Sequence, residues 1–197
     1  MNSCEITDLP DGKPELFLGI DLHDKTLGIL GAGRIGTRVA EIMKGVNMNI
    51  IYYDVRANSY LEEKTDAKQC AAPEDVLRQA DVISLHLPLN DSTHHFLNED
   101  RLSLLKKTAI LVNTSRGAVI DEKVLTAKLL KGDFFGAALD VSEDEPNISR
   151  TLRRLPNVIL TPHTASASIA TRNRMAEIAA NNVIAVLHGA EPPNPVQ

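Results

Sequence analysis

The segment from Thr26 to Gly36 constrains this chain more than any other, because an apolar run ends directly in three closely spaced glycines, Gly31, Gly33 and Gly36. It reads Thr-Leu-Gly-Ile-Leu-Gly-Ala-Gly-Arg-Ile-Gly, and a helix is predicted to follow at about Ile35 to Lys44. Gly31 permits a tight turn, Gly33 lets a ligand approach the backbone, and Gly36 lets the helix pack closely on the strand. The pattern predicts a strand, a turn and a helix whose N-terminus can bind a pyrophosphate. A glycine-rich turn without a ligand is the alternative.

An acidic residue follows at the spacing that dinucleotide-binding folds use. Asp54 lies 18 positions after Gly36 (54 − 36), at the end of a second predicted strand, Asn49 to Tyr53. A carboxylate there accepts hydrogen bonds from both ribose hydroxyls and repels a 2′-phosphate. The sequence therefore predicts NAD in preference to NADP, although Arg56, two positions further on, could pair with a phosphate.

The composition is that of a globular protein with one main domain. The chain has 197 residues, of which 43% are hydrophobic, and a formal net charge of −5 without a basic stripe. No apolar stretch approaches the ~20 residues of a membrane span, and Met1 to Pro14 lack the layout of a signal peptide. We therefore expect a cytoplasmic protein that binds neither membrane nor nucleic acid. Cys4 and Cys70 have no metal-ligand or disulfide pattern, so no metal site is predicted.

Strand and helix patterns alternate along the rest of the chain. The stretch after Asp54 is polar and carries no predicted element until the next helix. Further strands are predicted at Val82 to Leu85, Ala109 to Val112, Gly136 to Leu139 and Val158 to Leu160, and helices at Pro73 to Ala80, Glu99 to Leu105, Glu122 to Leu130 and Ile169 to His188. This order predicts an α/β fold with a doubly wound parallel sheet of the Rossmann type. Its ligand is expected at the carboxyl ends of the strands.

Three polar residues follow predicted strand ends and could supply chemistry there: Arg116, Glu145 and His163. Reduction of a 2-keto acid by hydride requires a proton donor, a cation that holds the carboxylate and a group that keeps the donor charged. Histidine, arginine and glutamate have these capacities. Each residue also has an ordinary interpretation: a surface ion pair, a solvated loop carboxylate or a turn hydrogen bond. Their shared position beside the predicted dinucleotide site favours the catalytic interpretation.

The other histidines are assigned to less specific surroundings. His86 ends a strand and is expected to line the adenine side of the cleft. Four more are expected to face solvent in loops or at a helix end: His23, His94, His95 and His188.

Together these segments resemble the D-isomer-specific 2-hydroxyacid dehydrogenases, especially the glyoxylate/hydroxypyruvate reductase group. The resemblance lies in Gly31 to Gly36, Asp54, His86-Leu87-Pro88-Leu89, Asn113-Thr114-Ser115-Arg116-Gly117, Leu139-Asp140-Val141, Glu145-Pro146 and Thr161-Pro162-His163-Thr164. It implies that Arg116 binds the substrate carboxylate and carbonyl, that His163 is the acid/base and that Glu145 orients it. Thr161 stands where the formate dehydrogenases of this superfamily have glutamine, which disfavours that activity.

The resemblance also implies a set of cofactor-binding residues. It assigns Asp140 and the backbone of Thr114 to Arg116 to the nicotinamide end. The predicted NAD site contains Gly31, Gly33, Arg34, Ile35, Gly36, Asp54, His86, Pro88, Thr114, Ser115, Arg116, Asp140 and His163.

Members of this family carry a substrate domain and a dimerisation helix ahead of the first glycine loop, and this chain enters almost directly at the loop. We therefore expect the substrate domain and the dimer helix to be missing. The expected division is a tail at 1–18, an NAD-binding domain with the catalytic residues at 19–165, and a helix and tail at 166–197 that would return to a substrate domain. The chain is then either a fragment or a gene product reduced to its cofactor domain.

Two functions remain open. The first is an NAD-dependent oxidoreductase, or its cofactor-binding half, acting on a small 2-keto or 2-hydroxy acid such as glyoxylate or hydroxypyruvate. The second is a non-catalytic module that senses NAD or binds a partner, as the related corepressors do. The joint presence of Arg116, Glu145 and His163 favours the first.

Overall fold

The computed structural model describes residues 19–195, so the predicted tail at 1–18, with Cys4, lies outside the described residues. The strands are β1 (Thr26–Leu30), β2 (Asn49–Tyr53), β3 (Lys68–Gln69), β4 (Val82–Leu85), β5 (Ile110–Asn113), β6 (Gly136–Leu139) and β7 (Val158–Leu160). The helices are α1 (Arg34–Lys44), α2 (Ser59–Thr65), α3 (Pro73–Gln79), α4 (Glu99–Leu102), α5 (Glu122–Lys131) and α6 (Ile169–Leu187). Single 3₁₀ turns lie at Gly117–Val119 and Leu152–Arg154.

All seven strands form one parallel sheet in the order β3-β2-β1-β4-β5-β6-β7. The order runs outward in both directions from β1, so the chain reverses its winding between β1 and β4. This confirms the predicted α/β fold with a doubly wound parallel sheet. The reversal opens a crevice at the carboxyl ends of the central strands, where folds of this kind bind their ligands.

Helices cover both faces of the sheet and produce two apolar cores. One core packs Ala40 of α1 and Leu61 of α2 against β1 and β2. The other is larger and packs residues of α3, α4 and α5 against β4, β5 and β6. Because both faces are covered, the central strands are almost entirely buried, as the burial of Leu27, Ile29 and Leu30 in β1 shows.

The polar stretch after Asp54 differs from the sequence prediction, since it contains α2 and β3. The Asn58 side chain caps α2 by accepting a hydrogen bond from Leu61 N at 3.0 Å, and Asp66 ends the helix with a φ of 56°. Two turns of helix are too short for an apolar period to be visible in the sequence. The remaining predicted elements are present, most within a residue or two; α4 is shorter and ends at Leu102.

Helix α6 differs from the other helices because it buries none of its 19 residues. Most of its large apolar side chains are exposed, including Ile169, Val183 and Leu187. The predicted boundary between 165 and 166 stays a prediction. Within residues 19–195, no helix combines the length and apolarity needed to cross a bilayer.

Candidate active site

The glycine turn lies at the carboxyl end of β1, beside β4. Gly31 has a φ of 97°, which side chains rarely adopt, and its amide donates to Tyr53 O at 3.0 Å. A Cβ on Gly36 would overlap the carbonyl oxygen of Gly31, so α1 can approach the turn only without a side chain there. Gly33, by contrast, has open space around its Cβ position, and no side chain caps the first turn of α1. The turn therefore leaves room and free amides for an anionic ligand.

Asp54 holds this turn in place. Its Oδ2 accepts a hydrogen bond from Ala32 N at 2.7 Å, and its Oδ1 accepts one from Arg56 N at 3.3 Å. The Asn58 side-chain amide donates to Ala32 O at 2.7 Å and holds the next peptide group of the turn. A carboxylate has about four acceptor positions, so Asp54 keeps capacity for ribose hydroxyls.

A cleft of about 420 Å³ extends from the N-terminus of α1 across the ends of β4 and β5. Eight residues line it: Ile35, His86, Leu87, Pro88, Leu89, Thr114, Ser115 and Arg116. Six of them are predicted cofactor residues, and the exposed Arg34 begins the helix at the same end. The structure thus brings Ile35 and Arg116, which lie 81 positions apart in the chain (116 − 35), to one surface.

His86 is held in this cleft in its neutral form. Burial lowers its pKa to about 4, and its Nε2 lies 2.9 Å from Ser84 Oγ. A neutral ring at physiological pH serves as an apolar wall with one polar edge. Its predicted contact with adenine stays a prediction.

Arg116 lies at the far end of the cleft, in a turn organised by the buried Asn113. The Asn113 amide donates to Arg116 O at 2.9 Å, and its Oδ1 accepts from Ser115 N at 2.9 Å. The Arg116 guanidinium is exposed and donates from Nη1 to Ser115 O at 2.7 Å. In the part of the chain that the structure describes, it makes no hydrogen bond to Glu145 or His163.

Glu145 and His163, in contrast, contact each other directly. His163 Nδ1 lies 2.9 Å from Glu145 Oε2, and Glu145 Oε1 accepts a hydrogen bond from Ser142 N at 3.1 Å. The hydrogen bond from His163 lowers the pKa of Glu145 below its ordinary value, against the opposing effect of burial. Both side chains remain accessible, with 53% of His163 and 39% of Glu145 exposed. Two residues 18 positions apart therefore form a hydrogen-bonded pair, here called the Glu145–His163 pair.

Asp140 positions the turn that carries His163. It accepts hydrogen bonds from Thr161 Oγ1, from Thr164 N at 2.8 Å and from Ala165 N at 2.8 Å, while its own carbonyl accepts from His163 N at 2.9 Å. Burial raises the pKa of Asp140, but these hydrogen bonds outweigh it and leave the pKa below its ordinary value. They also hold His163 at a φ of 52°. The predicted contact of Asp140 with nicotinamide stays a prediction; its visible contacts are with this turn.

A small cavity of about 170 Å³ lies against the Glu145–His163 pair. Its walls include Ser142, whose buried Oγ has no hydrogen-bond partner among residues 19–195. Sequence reasoning missed Ser142 and the hydroxyl of Thr161 as parts of the site. Ser142 lies two positions after Asp140, and Thr161 lies two positions before His163. This proximity was the signal in the sequence, and it is weak because small hydroxyl residues are common in loops.

The histidine predictions require one correction. His23, His94 and His188 are exposed as expected, but His95 is half-buried and its Nε2 lies 2.7 Å from Glu143 Oε1. The prediction for His95 was wrong because its partner lies 48 positions away in the chain.

Comparison with known proteins identifies the family of the chain. Residues 7–165 match the family model for D-isomer specific 2-hydroxyacid dehydrogenase, NAD binding domain. A glyoxylate reductase of Aeropyrum pernix is 50% identical over 182 residues, which cover 92% of this chain and 54% of that enzyme. This chain thus spans about half the length of the curated relatives that it matches.

Two solved structures have the same fold. The TT0316 protein of Thermus thermophilus is 44% identical with a TM-score of 0.87, covering 95% of this chain and 58% of its own. The D-lactate dehydrogenase of Lactobacillus jensenii, solved with NAD⁺, is 30% identical with a TM-score of 0.84, covering 94% of this chain and 59% of its own. From the fold, the glycine turn and the matched family model together, the chain belongs to the D-isomer specific 2-hydroxyacid dehydrogenases and contains their NAD binding domain.

Proposed function

We propose that this chain binds NADH and supplies Arg116, Glu145 and His163 for reduction of a small 2-keto acid to the D-2-hydroxy acid. The observation that carries the proposal is the Glu145–His163 pair, 2.9 Å apart and at the same sheet edge as the glycine turn. Glyoxylate and hydroxypyruvate are the substrates proposed, since the relative from Aeropyrum pernix is a glyoxylate reductase. This chain spans about half the length of that relative. Reduction of these substrates by the whole protein is therefore itself part of the proposal.

The residues present fit a dinucleotide. Open space at Gly33 and the uncapped N-terminus of α1 suit a pyrophosphate, and the Asp54 carboxylate suits a ribose without a 2′-phosphate. NAD(H) is therefore proposed in preference to NADP(H). When bound, the nicotinamide supplies the hydride.

His163 is proposed as the proton donor. Its Nδ1 is engaged by Glu145, and its Nε2 makes no hydrogen bond within residues 19–195, so Nε2 is the ring atom free to protonate a carbonyl oxygen. The Glu145 carboxylate fixes the orientation of the ring. Glu145 is in turn held by Ser142 N, so the pair does not depend on substrate for its geometry.

Arg116 is proposed to bind the substrate carboxylate. A guanidinium forms a two-pronged, charge-assisted pair with a carboxylate, and among residues 19–195 only one nitrogen of Arg116 is engaged, by the neighbouring carbonyl of Ser115. The backbone of Thr114 to Arg116 lies in the same cleft as His86, so one surface can hold both the cofactor and the acid.

A second candidate function is binding of NADH without efficient turnover, as in a sensing or partner-binding module. The exposure of His163, Glu145 and Arg116 favours it, because water screens their charges and leaves the keto acid without a closed site. We expect this chain alone to bind NADH and to turn over well below the ~1–10³ s⁻¹ of ordinary enzymes.

Two assays on this chain separate these functions. One is a fluorescence titration with NADH, and the other is NADH oxidation with glyoxylate in wild type, His163→Asn and the control His188→Asn, at an exposed histidine on the end of α6. Glyoxylate-dependent oxidation that is lost only in His163→Asn supports the enzyme. NADH binding with no oxidation shows that this chain alone acts as a binding module, and absence of NADH binding contradicts both functions.

A further inference from the structure

Three metal-ligating side chains meet away from the Glu145–His163 pair. His94 and His95 lie in the loop after β4, and Glu143 lies in the loop after β6. One nitrogen from each ring and one carboxylate oxygen all lie within 4.8 Å of one another. The two rings are stacked, with their centroids 4.0 Å apart and their planes inclined by 26°. We call this group the His94–His95–Glu143 cluster.

The backbone on both sides holds these donors in place. In an extended strand, the side chains of neighbouring residues point to opposite faces. The backbone at His95 is not extended, since its φ is 48°, and the His94 and His95 rings lie face to face. The His95 amide donates to Ala118 O at 2.8 Å. On the other loop, Glu143 N donates to Glu122 Oε2 at 2.9 Å, and Glu143 Oε2 accepts from Glu122 N at 3.0 Å. Glu143 Oε1 is thereby left facing His95 Nε2, at 2.7 Å.

We propose that the His94–His95–Glu143 cluster binds a divalent transition-metal ion of the Zn²⁺ type. Two imidazoles and one carboxylate form a donor set that suits zinc, and water can fill a fourth position. The neighbouring cleft of about 530 Å³ gives water access, and its walls include three carboxylates, of Glu122, Glu143 and Asp144, and one cation, Lys123. Two stacked imidazolium ions would repel each other, whereas two neutral rings can share one cation.

The ion takes the place of the direct contact between His95 Nε2 and Glu143 Oε1. Zinc bonds of about 2.0–2.2 Å in tetrahedral geometry separate two ligand atoms by roughly 3.3 Å. The 2.7 Å pair therefore opens by less than about 1 Å when the ion enters.

The site links two loops of the candidate active site without contributing a reacting group. Glu143 lies two positions before Glu145, so an ion bound to His94 and His95 ties the Glu145 loop to the loop after β4. The role proposed is structural, and it does not depend on the proposed catalytic function.

Calorimetric titration of the metal-free chain with ZnCl₂ tests the proposal. We expect one ion per chain in wild type and at least roughly tenfold weaker binding in His94→Ala and in Glu143→Gln, since even outer-sphere partners of a metal contribute about 10–100-fold. His188→Ala is the matched control, because its exposed ring lies at the end of α6, and it should bind as wild type does. At a hundredfold excess over Kd, Zn²⁺ should raise Tm by roughly 5–10 °C in wild type and not in His94→Ala.

Imidazole NMR resonances provide a readout that does not depend on affinity. Zn²⁺ should shift the resonances of His94 and His95 and leave those of His163 unchanged. Zinc binding of undiminished affinity in His94→Ala, equal weakening in His188→Ala, or no saturation below ~1 mM would each overturn the proposal.

Discussion

The glycine turn allows cofactor binding and folding to be perturbed separately. Gly33 has open space around its Cβ position and a φ of −73°, so Gly33→Ala introduces a methyl group without strain. The alanine reduces the entropy of the unfolded chain, worth about 0.4–1 kcal/mol, while alanine is a poorer N-cap than glycine. These opposing effects leave the free energy of unfolding within about 1 kcal/mol of wild type, a Tm shift of at most roughly 4 °C.

Cofactor binding should respond much more strongly to the same change. The methyl group projects from the turn that the pyrophosphate must approach, and overpacking of such a contact costs about 1–3 kcal/mol. Converted at 1.4 kcal/mol per tenfold, the Kd for NADH rises roughly 5- to 150-fold in Gly33→Ala.

Gly36→Ala is the paired variant and should show the opposite profile. Its Cβ would overlap the Gly31 carbonyl oxygen, so α1 must shift at a cost of about 1–3 kcal/mol in folding free energy, or roughly 2–12 °C in Tm. Circular dichroism melts and NADH fluorescence titrations measure both quantities for each variant. If Gly33→Ala binds NADH as tightly as wild type does, the assignment of the turn to a pyrophosphate is refuted. If Gly33→Ala lowers Tm as much as Gly36→Ala does, the conclusion that Gly33 has room for a Cβ is refuted.

Three further predictions concern the acid, the cofactor and the turn that holds the acid. His163→Ala should lower kcat by a factor on the order of 10²–10⁴, in this chain or a longer form with turnover, with little change in NADH affinity; a loss that tracks NADH binding would make His163 a cofactor residue. Asp54→Ala should bring the Kd values for NADH and NADPH closer together in paired titrations. Equal Kd values for the two cofactors in wild type would contradict the role proposed for Asp54. Asp140→Asn should melt below wild type, because Thr164 N and Ala165 N lose a charged acceptor. Since the folded-state pKa of Asp140 is lowered, its stabilisation is complete above about pH 5 and is lost as pH falls through that pKa, so melts of the two proteins should converge in acid and stay apart at pH 7.

Much of the fold was predictable because its signals are local. The glycine spacing, the apolar strand runs and the alternation of strands with helices each lie within a few residues of sequence, and together they specify a doubly wound sheet. Helix α2 and strand β3 were missed because seven and two residues are too few to establish a period. Their existence depends on Asn58, which caps α2, and on pairing with β2, which is a long-range contact.

For the candidate site, the sequence predicted which end of the sheet the residues occupy, but only some of their contacts. Strand ends located Arg116, Glu145 and His163 at one edge of the sheet, since parallel strands share that edge. The resemblance implied that Glu145 orients His163, and the structure contains that hydrogen bond. Only the tertiary structure decided that Arg116 folds onto Ser115 and that Asp140 holds the turn of His163.

The sequence by itself determined the architecture and the kind of ligand, whereas the tertiary structure decided which side chains meet. His95 is the clearest example: its sequence neighbours indicate an exposed loop, yet Glu143, 48 positions away, is its hydrogen-bond partner. Secondary structure and glycine turns follow from steric limits within short segments, so their signals are present in the sequence itself. Hydrogen bonds between loops depend on where the sheet brings those loops, and that geometry exists only once the chain has folded.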